Sequence, residues 1–216
     1  MQNKSENGVS RSVVNRLPRY YRALRELYRR DKLRVSSGEL AKMMGSTASQ
    51  IRHDLNCFGG FGQQGYGYNV VYLYKKIGEI LGVQDDFGAV IIGAGSLCRA
   101  IASGSIFTRR GVKLLAIFDC DSEKCGTSIS GIKVLAFESF NSFCRENTVD
   151  IAILAVPAEA AQKVAEEAAL SGVRGIWNFT NTELNIKDEK IAVQDVHLGD
   201  MLMTLCYEIK ERKNEN

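Results

Sequence analysis

An apolar run over residues 89–92 passes without a break into Gly93-Ala94-Gly95-Ser96-Leu97-Cys98, and few folds accommodate that junction. The run is short enough for a buried strand, and the glycines turn the chain sharply into a helix. Further strands are expected over 113–118, 151–156 and 175–179 with helices between them, which is the alternation of a parallel α/β sheet. Gly93 permits the tight turn, and Gly95 lets a pyrophosphate approach the backbone. The helix opened by Ser96 and Leu97 offers its positive end to the phosphates. Cys98 stands where a third glycine or alanine is usual. The second strand ends in Asp119, close to the roughly 20-residue separation of a carboxylate that accepts hydrogen bonds from an adenosine ribose. Its charge would repel a 2′-phosphate by roughly 1–4 kcal/mol at about 4 Å, which favours NADH/NAD+ over NADP(H). Val156 and Pro157 end another strand at the same crevice. The other reading of this pattern is a glycine turn in an empty doubly wound domain.

The first 85 residues follow a different pattern. Residues 1–12 are polar and read as a disordered tail. Val14, Leu17, Tyr21, Leu24 and Tyr28 then recur at helical spacing over 14–30, opposite a face of Arg16, Arg19, Arg22, Arg25, Arg29 and Arg30. Ser36-Ser37-Gly38-Glu39 has the form of a capping box that opens a helix with Leu40, Met43 and Met44 inward, stopping at Gly45. A second box, Thr47 to Gln50, opens another with Ile51 and Leu55 inward. Two short helices across a tight glycine turn make a helix-turn-helix. The second exposes Ser49, Gln50, Arg52 and His53 near its start, the residue types that reach base edges and phosphates. Solvation of an outer face is the plainer reading of those four. The stretch from Phe58 to Tyr68, five glycines among aromatics, then reads as the wing of a winged helix with Gln64 and Gly65 at its tip. A flexible linker would not carry so many Phe and Tyr side chains. Asn69 caps a closing helix with Leu73, Ile77, Ile80 and Leu81 inward, ending at Gly82.

Charge divides the same way. Residues 1–85 hold 14 Lys and Arg against 7 Asp and Glu, and residues 86–216 hold 14 against 18. The basic half has the footprint of a polyanion binder. The longest apolar runs are about seven residues, short of the roughly 20 that cross a bilayer, so no membrane partner is expected. Six cysteines without CxxC pairs read as reduced thiols in a cytoplasm. Cys120 and Cys125 have poor spacing for zinc, and no metal site is expected. The two histidines, His53 and His197, stand beside no serine or cysteine nucleophile, so no catalytic residue is assigned. Glu159 to Ser171 reads as a solvated helix with Ala160, Ala161, Val164 and Ala168 inward, and after Trp177-Asn178-Phe179 the chain is strand-like and polar to about Val196. Leu198, Leu202, Leu205 and Ile209 form a last apolar stripe, which is either dimer surface or packing on its own sheet.

Taken in order, these motifs resemble the Rex family of redox-sensing transcriptional repressors, from Arg16 to Tyr207. The resemblance rests on Leu17-Pro18-Arg19-Tyr20, Ser36-Ser37-Gly38-Glu39-Leu40-Ala41, Gln50-Ile51-Arg52-His53-Asp54-Leu55, the glycine and aromatic string 58–68, Gly93 to Leu97, Phe118-Asp119-Cys120-Asp121, Val156-Pro157 and Asn178-Phe179. It implies an α/β chain with a winged-helix DNA-binding domain over 13–84 and a Rossmann NAD(H)-binding domain over 85–196. A C-terminal dimerisation helix over 197–216, exchanged between subunits, completes it. It also implies a homodimer on palindromic operator double-stranded DNA that NADH releases. Gln50, Arg52 and His53 would face the major groove, with Gln64 and Gly65 at the wing tip, while Gly93, Gly95, Asp119, Pro157 and Asn178 would line the dinucleotide site. The sequence departs from the family pattern at His53, Gln64, Cys98, Thr180-Asn181 and His197. The Thr180-Asn181 pair replaces a rigid Ala-Pro turn, and His197 replaces an Asp whose partner in the first helix would be Arg22. A paralogue with a weakened NADH response and an NAD-dependent oxidoreductase with an accessory helical domain are the competing readings.

Overall fold

The computed structural model describes residues 9–63, 66–104, 106, 107 and 110–214. The chain divides into two compact units, Met1–Gln84 and Asp85–Asn216.

In the first unit, helix α1 (Arg11–Val14) leads into α2 (Leu17–Arg29), whose first turn holds Pro18, where a missing backbone N–H costs nothing. Part of the expected tail is therefore ordered: Arg11 and Ser12 are helical, and Val9 and Val13 are buried. Residues 1–8 lie outside the described residues. The buried stripe of α2 is Leu17, Tyr20, Leu24 and Leu27, rotated from the one expected, and Val14 and Tyr28 are exposed. Tyr21 and Tyr28 instead stack on Tyr74 at ring-centroid distances of 4.7 and 5.3 Å. Tyrosines suit such an edge because an apolar ring can pack while its hydroxyl stays near water.

Strand β1 (Arg34–Val35) precedes α3 (Ser37–Met44) and α4 (Ala48–Asn56). The capping box of α3 is complete, with Ser36 Oγ accepting from Glu39 N and Ser36 N donating to the Glu39 carboxylate. Gly45 ends α3 in the left-handed region at φ 60°, and Leu40, Ala41 and Met44 are buried while Met43 is exposed. The wing strands β2 (Gly62–Gln63) and β3 (Gly67–Asn69) pair antiparallel, and β1 joins the other side of β3. Gly67, at φ 69°, could carry no side chain, because a Cβ would lie 2.6 Å from Val35 O. Asn69 Oδ1 accepts from Tyr72 N and caps α5 (Val70–Ile80), which buries Leu73 and Ile77 but leaves Ile80 exposed.

In the second unit the described residues form a seven-stranded sheet in the order β10-β9-β8-β4-β5-β7-β6. Its strands are β4 (Phe87–Ile92), β5 (Val112–Asp119), β6 (Ser128–Ile129), β7 (Ile132–Ala136), β8 (Ile151–Leu154), β9 (Gly175–Asn178) and β10 (Ala192–Asp195). All neighbours pair parallel except β6 with β7. Helices α6 (Ser96–Ser103), α7 (Phe140–Glu146, after a 3-10 turn at Phe137–Ser139) and α8 (Ala158–Leu170) cross between strands. This is the doubly wound Rossmann order, and its direction reverses between β4 and β8, the position at which such sheets bind ligands. Strand β4 is central: Val90 and Ile92 point into one core with Phe118 and Leu154, while Ala89 and Ile91 point into the other with Ile117 and Ile153. The polar stretch expected to be strand-like up to Val196 is strand only over β10.

The hairpin β6–β7 was not foreseen. Its two-residue turn, Ser130-Gly131, has φ of 55° and 82°, as a twisted hairpin turn requires, and Ser-Gly between two isoleucines was the signal for it. Helix α9 (Leu198–Asn214) ends the chain. Leu198, Met201, Leu202, Met203, Leu205, Tyr207 and Ile209 are all at least half exposed on it.

Candidate functional site

The ends of β4, β5 and β8 surround a cleft of about 800 Å³. Gly93, Gly95, Asp119, Val156 and Pro157, all expected at a dinucleotide site, line it together. Gly93 sits at φ 103°, and a Cβ there would meet Ala155 O at 2.4 Å, so the turn exists only with glycine. Gly95 differs: a Cβ there would find nothing within 4 Å. Gly95 is also the N-cap of α6 and gives the helix's first N–H groups no side-chain hydrogen bond. This is the cradle a pyrophosphate needs.

Asp119 is buried. Its Oδ2 accepts from Ala94 N at 2.7 Å and its Oδ1 from Asp121 N at 2.8 Å, and Lys124 Nζ lies 3.4 Å from Oδ2. Burial would raise its pKa, but the two backbone N–H groups and Lys124 outweigh it and hold the carboxyl below its ordinary value. The group is ionised, with lone pairs left for a diol. These residues fit an NAD-type dinucleotide. Gly93, Gly95 and the start of α6 would hold the pyrophosphate and Asp119 the adenosine ribose, while the nicotinamide would supply the redox-dependent charge.

Ala94 stands behind the cleft wall, and Ser96 and Leu97 form the first turn of α6 without lining this cleft. Asn178 is placed differently from expectation. It is 1% exposed and is not a cleft residue. Its Nδ2 donates to Thr182 O and Asp195 Oδ1, and its Oδ1 accepts from Thr180 N and Thr180 Oγ1. Its capacity is spent on the 178–182 turn, where Asn181 has φ 55°. The departure Thr180-Asn181 thus carries its own brace, the Thr180 hydroxyl on Asn178 Oδ1, and Asn181 takes a positive φ that a proline could not adopt.

Cys98 is fully buried on the inner side of α6 against the sheet, and burial pushes its thiol up to about 11. It is a packing residue. Cys125 donates to Asp121 O, and among the described residues no group of three His, Cys, Asp or Glu could hold a metal. The sequence reading missed Cys120, Asp121, Lys124, Ala160, Lys163 and Glu167, which also line the cleft. The last three recur at helical spacing on α8, and of them only Ala160 was expected inward.

In the first unit, Ser49, Arg52 and His53 are exposed on α4. Arg52 Nη1 donates to Ser37 Oγ at 3.1 Å. Gln50 N is capped by Thr47 Oγ1, but the Gln50 side chain donates to Asp54 Oδ1 at 2.7 Å, so the expected second capping box is half made and Gln50 is turned inward. Asp54 was not foreseen. It is fully buried and accepts two hydrogen bonds from Arg16 (2.7 and 2.8 Å) and one from Tyr20 (2.9 Å), fastening α4 to α2. Arg19, Arg22, Arg25 and Arg29 line a groove beside Met43 and Met44, where Arg19 donates to Met44 O at 2.6 Å. Gln64 and Gly65 lie outside the described residues.

Two curated relatives span nearly the whole chain. A redox-sensing transcriptional repressor Rex of Clostridium perfringens is 48% identical over 204 residues, 94% of this chain and 96% of its own. Another from Caldicellulosiruptor saccharolyticus is 45% identical over 207 residues, covering 96% and 94%. The chain belongs to the Rex family of redox-sensing transcriptional repressors. Family models for a "Putative DNA-binding protein N-terminus" and a CoA binding domain match residues 8–56 and 84–182, one in each unit of this Rex chain. The structure of RSP with β-NAD+ and operator DNA matches with a TM-score of 0.89 at 45% identity, covering 95% of this chain and 94% of RSP. RSP with β-NADH matches with a TM-score of 0.86 at 42% identity, covering 95% and 96%. RSP is itself a Rex-family repressor. Among the described residues of the present Rex chain no helix is long and apolar enough to cross a membrane.

Proposed function

We propose that this Rex-family chain represses transcription as a homodimer on palindromic operator DNA in the cytoplasm, and that NADH in the Gly93–Gly95 cleft releases it. One observation carries the ligand half of this reading: Gly95, open on its outer side and the N-cap of α6, lines the same cleft as the ionised Asp119. Ser49, Arg52 and His53 present base- and phosphate-reading groups on a helix braced from behind by Asp54, with Gln64 and Gly65 assigned to the wing tip. Gln50 acts on DNA only if it leaves Asp54. The exposed apolar stripe of α9 supports a two-fold partner, because a palindrome needs two recognition helices at fixed spacing. NADH then releases DNA by binding more tightly to a dimer whose spacing is wrong, and a nearly complete shift needs several kcal/mol of such preference. The chain is read as a regulator and not an oxidoreductase, in line with the names of its relatives.

The test is fluorescence anisotropy on a labelled palindromic operator, without nucleotide and with NADH or NAD+. Loss of DNA with NADH and retention with NAD+ is the expected result. Binding indifferent to both nucleotides would refute the sensing role, and steady NADH turnover on a carbonyl substrate panel would favour an enzyme.

A further inference from the structure

Beside the glycine turn, the cleft wall carries a charge arrangement that a ribose-binding aspartate alone does not include. Lys124 Nζ lies 3.4 Å from Asp119 Oδ2 and 3.3 Å from Asp121 Oδ2, and all three residues line the cleft. The trio bears one net negative charge where the two carboxylates alone would bear two. Asp119 does not need the lysine for its orientation, since each of its oxygens already accepts a backbone N–H. It is also buried, whereas the Lys124 side chain is 38% exposed. The geometry is a partly exposed cation resting on a buried anion.

We propose that Lys124 sets how strongly this cleft discriminates against a 2′-phosphorylated dinucleotide, by offsetting the repulsion from Asp119 and Asp121. The inference rests on the dinucleotide reading of the cleft. An unphosphorylated ribose presents neutral hydroxyls that need acceptors, which the two carboxylates supply with or without a nearby cation. A 2′-phosphate instead brings close to two negative charges against those carboxylates, and a flexible ammonium can swing to meet it. Removing Lys124 therefore bears on NADPH far more than on NADH.

Calorimetry with NADH and NADPH on the full chain tests this, comparing the parent with Lys124→Met and Lys124→Arg. In Lys124→Met, NADH affinity should stay within about threefold while NADPH affinity falls about tenfold or more, a gap that narrows in about 0.5 M salt. Lys124→Arg should restore the parental ratio. Where parental NADPH binding is too weak to read, Asp119→Ser should bring it into range, and adding Lys124→Met should take that gain away. An equal loss of both nucleotides in Lys124→Met would mean that the lysine only holds the loop, and an unchanged ratio would remove it from specificity; either overturns the proposal. A parent that binds neither nucleotide would overturn the cleft reading itself, and the proposal with it.

Discussion

Arg52 and Asp54 stand two positions apart on one helix and face opposite ways. Arg52 is exposed and donates to the Ser37 hydroxyl, so Arg52→Ala should leave stability within about 0.5 kcal/mol. It should weaken operator binding by about 1–3 kcal/mol if the guanidinium reads a guanine, or flatten the salt dependence by about one if it meets a phosphate. Anisotropy titrations across a salt series separate the two, and NADH affinity should not change. Asp54→Ala should cost about 2–3 kcal/mol in urea unfolding, less than a fully buried pair, because Arg16 is partly exposed and can rehydrate. Burial would raise the Asp54 pKa, but hydrogen bonds from Arg16, Gln50 and Tyr20 outweigh it and hold the carboxyl below its ordinary value. A lowered folded value adds stability that is present above the unfolded value of about 4 and is lost as pH falls through the folded one. Asp54→Asn should therefore lose less stability than the parent between neutral pH and pH of about 3, as unfolding midpoints at both would report. The outward residue was legible because helical spacing sets Arg52 off the Ile51 and Leu55 face. The inward one was not, since Arg16 meets Asp54 from 38 positions away and a carboxylate is placed in water by default.

Among the elements, the strand, turn and helix at β4–α6 was the most legible, because two glycines there do different work. Gly93→Ala should destabilise the second unit by about 2–4 kcal/mol, since the new methyl group would meet backbone at 2.4 Å in a left-handed conformation. Gly95→Ala should leave unfolding within about 1 kcal/mol and still abolish NADH binding, because the space it fills is empty of protein. Equal melting of the two variants would remove this distinction. Of the strands that escaped the sequence reading, β1 and β6 are two residues long and have no periodicity to show. Strand β1 exists only because β3 lies beside it, and β6 could have been found only through its Ser130-Gly131 turn. The phase of α2 was misjudged for a similar reason. Tyr20 and Tyr21 are equally apolar on any scale, and only the Asp54 hydroxyl acceptor on one side and the Tyr74 ring on the other sort them.

For the whole molecule, the division at Gln84/Asp85 coincides with the change in charge and in pattern. The partner of α9 was beyond the sequence, because an amphipathic stripe does not say which surface it meets. Within its own chain the stripe is exposed, which supports the dimer reading. Truncation before Leu198 should leave the sheet folded by circular dichroism and shift sedimentation to a monomer. Operator affinity should fall about 10²- to 10⁴-fold through loss of the paired half-site. A truncated protein that still sediments as a dimer would place the interface elsewhere. The proposed homodimer also has a genetic consequence. In a cell making intact and Arg52→Ala chains in equal amounts, random pairing leaves about a quarter of the dimers with two working recognition helices. The damaged copy is thus dominant, and deleting its α9 as well makes it recessive again.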